Sequence, residues 1–286
     1  MKNIFTILPN FLRNPDYFFK SIRDGEQVES KALTLSLASF LFLLVYGFML
    51  GLTKSPLQAV SSAIKIPVLF LSSMAFCLPA LYFFSLALLG TPLRMIQVLT
   101  VVLAGIAVTA FLLLGLAPIT LFFVLTSNNY PFFQLLAVLF VGVSALIGVY
   151  FLWRGMTLVG STREGVVGHM GKRILGLWMV LYGFVGTQMT WRLSPFIGRP
   201  EDPFYLVKPS RDNFYVDVLH AIQQTLNLPA LDINLDTPLM MALLCLVGLI
   251  LMFVLVLAFL RSGLIRKEKL VPASSADSPD PKLETA

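Results

Sequence analysis

The sequence predicts an all-α integral membrane protein, a bundle of about six transmembrane helices with interfacial amphipathic helices. Three observations predict this class. The 286-residue chain is 57% hydrophobic and 13% charged, about half the charged fraction of a soluble domain. Six apolar stretches long enough to cross a membrane contain no Asp, Glu, Lys or Arg. With a cytoplasmic N-terminus, 15 of the 21 Lys and Arg residues lie in inside segments, as the positive-inside rule requires.

The first 31 residues predict a cytoplasmic interfacial helix before the membrane domain. Asn14, Pro15 and Asp16 supply an N-cap, a proline at the first helical position and an acid in the first turn. The aromatic residues that follow, Phe18 and Phe19, share one helical face with Pro15. Two interpretations are open: this face dips into the lipid headgroup boundary, or it packs on the rest of the protein.

The six-span membrane domain covers residues 32–260. Its predicted spans are 32–52, 66–89, 95–117, 131–153, 174–191 and 238–260. In the linker after the first span, Leu57, Val60 and Ile64 are spaced for a surface helix. The third apolar stretch is too long for one crossing, so we expect Pro118 to kink or end its straight part. Residues 119–125 would then tilt or lie along the outer interface.

Two further segments complete the predicted organisation. The outside segment 192–236 is the largest piece outside the membrane, and its residues 214–222 have the pattern of an amphipathic helix on the outer surface. Residues 261–286 form a basic anchor followed by a disordered cytoplasmic tail. The glycine-rich inside loop 154–173 is predicted to be mobile.

The chemistry of the chain argues against several functions. Without charges in the predicted spans, a proton-coupled pump, an acid-lined cation site or a voltage sensor is not expected. His169 and His220 fall on opposite sides of the membrane, so we predict no metal site and no cofactor. No nucleophile and base pattern is present, which predicts that the protein is not an enzyme. Cys77 and Cys245 both lie in apolar runs, so no disulfide framework is expected.

The fifth span and its exit form the most polar membrane region, where two interpretations are open. One is structural, with packing glycines, an interhelical amide and an aromatic anchor; the other is a ligand or partner site where Gln188, Arg192 and Arg199 gather below the outside loop. Further candidate contacts are Trp191, Asn128 and Asn129. The two asparagines form either a turn or the lining of an outer cavity. The candidate packing glycines are Gly176, Gly183 and Gly186.

Several motifs resemble a known family. They are Tyr-Gly-Phe-Val-Gly-Thr-Gln at 182–188, Pro-Phe-Ile-Gly at 195–198 and Asn-Phe-Tyr at 213–215. They are similar to an uncharacterised family of bacterial polytopic membrane proteins, some of which carry the label "actin-binding WH2". The family has a second Arg where this chain has Ser194, so a shared basic site is not implied there. The opening around Asn14-Pro15 is similar to bacterial Yip1-like proteins. Neither resemblance implies an activity.

Together these features predict a non-enzymatic scaffold or accessory subunit of a membrane complex. The alternative is a transporter or channel for a neutral or lipidic solute, with prolines breaking helices around a cavity. The expected location is the bacterial inner membrane, with several passes and both termini in the cytoplasm. The expected partners are the lipid bilayer and a membrane protein or a second copy of the chain, and nucleic acid is not expected.

Overall fold

In the computed structural model, the described residues are 4–53, 55–89, 93–126, 129–160, 169–193, 196–197 and 214–226. They form helices and their connecting segments. The helices are α1 (Ile4–Arg13), α2 (Pro15–Arg23), α3 (Val28–Gly51), α4 (Pro56–Leu89), α5 (Met95–Thr126), α6 (Tyr130–Val159), α7 (His169–Leu193) and α8 (Phe214–Thr225).

Four helices are long and apolar enough to cross a membrane: α3, residues Pro56–Phe83 of α4, α5 and α6. The structure is therefore all-helical over the described residues, with four candidate membrane spans. The predicted fifth span falls within α7, which is a helix of 25 residues but is not among these four. The predicted sixth span, 238–260, and the tail 261–286 lie outside the described residues.

The segment predicted between the first two spans is helical, as its spacing indicates, but it is continuous with the second span, because α4 runs unbroken from Pro56 to Leu89. Leu57, Val60 and Ile64 are exposed, at 58%, 52% and 55%. They do not form a separate surface helix; they are the outer part of an apolar stripe that continues to Val68 on the same helix.

The boundaries of the next two helices also exceed the predictions. α5 continues through Pro118 to Thr126, so its 32 residues are about 48 Å long and residues 119–125 are helical. α6 ends at Val159, six residues beyond the predicted end, which shortens the inside loop. Inside lipid a broken helix leaves backbone groups without partners, so helices persist through proline and past the apolar run.

The helices pack in a definite order around α3 and α5. α3 packs on both α4 and α5, α5 packs on α6, and α4 packs on α7, while α8 lies against α6 and α7. In an apolar 18-residue stretch of α5, 72% of the residues are buried, whereas in the corresponding stretch of α6 only 17% are buried. α5 is therefore an interior helix of the bundle, and α6 presents most of its surface outward.

Glycines set the closest helix crossings. A Cβ added at Gly47 of α3 would lie 2.5 Å from the Ser62 carbonyl oxygen of α4, and one at Gly51 would lie 2.6 Å from the Ala59 Cα. A Cβ added at Gly105 of α5 would lie 3.0 Å from the backbone of α6. Backbones this close allow dispersion contacts that drive helix association in lipid, where no hydrophobic force acts between helices.

The N-terminal helices α1 and α2 are docked on one end of the bundle. Phe11, Phe19 and Ile22 are fully buried, and the ring of Phe11 meets that of Phe151 on α6 at 5.7 Å. The apolar face of α2 thus packs against the protein, which favours the second of the two interpretations of this segment. Asp16 holds the segment to α6 through paired hydrogen bonds from the Arg154 guanidinium, at 2.7 and 2.6 Å.

Candidate functional site

One face of α4 carries a row of buried polar side chains. A spacing of three, four or seven residues places side chains on the same helical face. The members of this row, none more than 9% exposed, are Gln58, Ser61, Ser62, Lys65 and Ser73. We call them the α4 polar face. Such side chains are costly to bury in a membrane helix unless they bind another group.

Helix pairing places Lys65 alongside α3. α3 and α4 are antiparallel, and Gly47 opposes Ser62, so Lys65 lies one turn deeper, about 10 Å below the outer end of α3. Lys65 also lies inside the candidate span Pro56–Phe83. Lys65 precedes the predicted second span, 66–89, by one residue and is part of the same continuous helix. The prediction that the spans themselves carry no charge stays a prediction.

The outer end of the α4 polar face is joined to the segment that follows α7. Ser62 donates a hydrogen bond from Oγ to the Phe196 carbonyl oxygen at 2.6 Å, and Gln58 donates one from Nε2 to the same oxygen at 3.4 Å. These bonds satisfy a backbone carbonyl that would otherwise be orphaned near lipid. They tie the predicted site region, the exit of the fifth span, to the start of α4.

Deeper in the bundle, α7 is held to α4 through an indole. Trp178 donates a hydrogen bond from Nε1 to the Cys77 carbonyl oxygen at 3.2 Å, and its ring stacks on Tyr182 with centroids 5.4 Å apart and planes 6° apart. Together with the contacts at Phe196, this bond defines an antiparallel register for the two helices. Counting along this register, Gln188 lies about ten residues outward from the Trp178 and Cys77 pair, opposite the stretch of α4 near Pro67.

Gln188 itself is half-buried. Its Nε2 atom is shielded from solvent and makes no hydrogen bond within the described part of the chain. The Oγ atom of Ser61, on α4, is in the same condition. These two donors, on helices that pack together, make no hydrogen bond among the described residues and could bind a ligand.

The other predicted contacts are less well defined. Trp191 and Arg192 belong to the last turn of α7, while Arg199 and Asn128 lie outside the described residues. The gathering of Gln188 with the two arginines therefore stays a prediction. Asn129 is the N-cap of α6, where its side chain accepts a hydrogen bond from the Phe132 amide at 3.2 Å, as the turn interpretation expects.

The three candidate packing glycines all lie in α7. A Cβ added at Gly176 would meet Trp153 at an ordinary 3.7 Å, and one at Gly186 would meet nothing within 4 Å. Their packing role stays a prediction. The sequence did carry a signal for a tight crossing elsewhere, because Gly47 and Gly51 form a Gly-x-x-x-Gly pattern in the first span.

The α4 polar face offers an ammonium, hydroxyls and an amide, so its chemistry is mainly that of hydrogen-bond donors. Such a set suits an anionic or carbonyl-bearing group. Among the described residues, no group of His, Cys, Asp and Glu could hold a metal ion. Comparison with protein-family models, with curated proteins and with solved structures finds no match to this chain.

Proposed function

We propose that this integral membrane protein is a non-enzymatic scaffold or accessory subunit of a membrane complex. We further propose six spans, with α7 and residues 238–260 as the fifth and sixth, in a bacterial inner membrane with both termini cytoplasmic. The charge distribution supports this topology, since inside segments hold most of the basic residues. In this orientation, α1 and α2 cap the cytoplasmic end of the bundle.

The observation that carries the scaffold function is the contrast between α5 and α6. α6 meets α5 along a narrow stripe that includes Ser144 and Gly148, while Leu139 and Val143 are 58% and 46% exposed. A largely apolar helix whose outer side is exposed in this way offers a surface to a helix of a partner. The paired bonds between Asp16 and Arg154 support a rigid framework.

Site-specific crosslinking in native membranes tests this function. A photo-reactive residue at Leu139 on α6 should yield an adduct with a partner protein or a second copy. The same residue at Leu33 on α3, which is 72% exposed, is the matched lipid-facing control. Adducts from neither position, with recovery of a lone monomer in several mild detergents, would contradict the scaffold function.

A second candidate is a transporter or channel for a neutral or lipidic solute. The α4 polar face favours it, because polar groups inside a membrane helix line solute pathways in many transporters. Pro67 and Pro79 lie within the same helix and remove backbone hydrogen bonds there. Both features lie on α4, the helix on which α7 and its Gln188 pack.

Flux into liposomes containing the purified protein tests the transport function. Gln188→Leu should reduce the flux of a transported solute, since the change removes the unpaired amide. Gly186→Ala is a matched control on the same helix, because its added methyl meets nothing within 4 Å. Equal flux in both variants and the unaltered protein would exclude a role for Gln188 in the pathway.

A further inference from the structure

We propose that the exposed side of α2 and the adjoining end of α1 bind anionic phospholipid headgroups of the cytoplasmic leaflet. The side chains that bind are those of Arg13, Tyr17 and Lys20, which we call the headgroup face. The choice of leaflet rests on the topology proposed above. The binding itself depends on neither the scaffold nor the transport function, since a bound lipid is compatible with both.

α2 lies at the level where the membrane helices begin. Gln97, in the first turn of α5, donates hydrogen bonds from Nε2 to the Ile22 and Arg23 carbonyl oxygens, at 2.8 and 3.0 Å. Lys31, in the first turn of α3, donates one from Nζ to the Ser21 Oγ atom at 2.7 Å. α2 is thus held against the ends of two candidate spans, which is where phospholipid headgroups lie.

The two sides of α2 differ in exposure and in chemistry. Phe18 and Phe19 are buried against the bundle. Tyr17, by contrast, is 68% exposed, and Lys20, one turn further along the helix, is also exposed. Arg13 ends α1 two residues before α2 begins, and its side chain is exposed as well. A headgroup can therefore reach the whole headgroup face without entering the protein.

The acids of α2 and its C-cap are already engaged, whereas the cations of the headgroup face are not. Asp16 accepts the paired bonds from Arg154, and Asp24 pairs with Arg23 at 3.3 Å. Neither cation of the headgroup face forms an ion pair within the described residues. Both are therefore available to an anion, and a phosphate accepts hydrogen bonds from a guanidinium and from an ammonium group.

A membrane lipid supplies this phosphate at the right depth. Basic residues near a cytoplasmic leaflet are attracted by its anionic lipids. Tyr17 adds an aromatic side chain of the kind that is enriched at headgroup level, where the apolar ring and the polar hydroxyl are both accommodated. Because α2 is fixed from its buried side, its exposed side is presented to the headgroup without the cost of ordering a helix.

Photo-crosslinking in nanodiscs with equal amounts of phosphatidylglycerol and phosphatidylcholine tests this binding. An aromatic photo-reactive residue replaces Tyr17 in the full chain, and mass spectrometry identifies the lipid in each adduct. The same residue at Leu33, which is 72% exposed near the same end of α3, is the matched control. We expect phosphatidylglycerol to be enriched at position 17 and both lipids to be labelled equally at position 33. The two leaflets of a nanodisc are equivalent, so the outcome does not depend on the orientation of the chain.

Charge variants give the effect a direction. Lys20→Gln should lower the enrichment about fivefold, the effect of one basic residue near a lipid surface, and Lys20→Arg should retain it. Arg13→Gln should lower the enrichment by a similar factor. Asp24→Asn should raise it, because this change removes the carboxylate that pairs with Arg23 and leaves the guanidinium to a headgroup. A variant that merely unfolds α2 would not raise the enrichment.

Equal labelling of the two lipids at position 17 would overturn the proposal, and so would unchanged enrichment in both Lys20→Gln and Arg13→Gln. Should either variant fail to fold, Asp24→Asn decides the outcome, since the Asp24 side chain is 55% exposed and its removal opens no space in the bundle. In native membranes, adducts of position 17 with a protein in place of a lipid would assign this surface to a partner and refute the lipid assignment.

Discussion

The crossing of α3 and α4 at Gly47 yields a prediction whose sign the structure determines. In Gly47→Ala, the added methyl carbon would lie 2.5 Å from the Ser62 carbonyl oxygen and 3.0 Å from the Ala63 Cα. Ordinary contact begins at 3.4 Å, so the carbon is about 0.9 Å too close to the oxygen. Both opposing atoms belong to the backbone of α4, so no side-chain rotation relieves the clash. The two helices have to separate.

The cost follows from this separation. Overpacking by a single methyl in a well-packed interior costs about 1–3 kcal/mol, and parting the helices also weakens the hydrogen bonds of Ser62 to the exit segment of α7. Replacing a helical glycine by alanine otherwise stabilises a helix by about 0.5–1 kcal/mol. We therefore expect a net destabilisation of about 1–2 kcal/mol, because the steric term exceeds the propensity term.

Thermal unfolding in mild detergent measures this change. Gly142→Ala on α6 is the matched control, since its added methyl meets nothing within 4 Å and only the helix-propensity gain remains. We expect the unfolding temperature to fall in Gly47→Ala and to stay constant or rise in Gly142→Ala. An unfolding temperature that is unchanged or raised in both variants would refute the assignment of Gly47 as a close-contact glycine.

Two further predictions concern the docking of α2. Asp16→Asn should weaken the paired bonds from Arg154 and destabilise the protein by about 0.5–1 kcal/mol. The cost is modest because Asp16 is 43% exposed and screened by solvent. A double-mutant cycle with Arg154→Met that shows no coupling would contradict this prediction. Gln97→Leu removes hydrogen bonds from Nε2 to the Ile22 and Arg23 carbonyl oxygens, at 2.8 and 3.0 Å. Hydrogen exchange in α2 should then accelerate, and unchanged protection would show that its aromatic packing alone holds the helix.

The site could be predicted only in part. Sequence reasoning selected Gln188 because an amide in a membrane span is unusual, and the structure packs α7, which carries this residue, on α4. It assigned Lys65 to a linker, because a lysine and nearby prolines are typical of a span boundary. The burial of Lys65 on a continuous helix depends on how α4 packs on α3 at Gly47, which local sequence patterns do not specify.

The sequence by itself determined the all-helical class, the positions of the main apolar helices and the N-cap of α2, because hydrophobic length and capping are local properties of the chain. Tertiary structure decided which helices are interior, how far α4 and α5 extend, and that the aromatic face of α2 packs on the bundle. These depend on which surfaces meet. In lipid, packing contacts rather than hydrophobicity choose the neighbours of each helix, and apolar composition alone does not specify them.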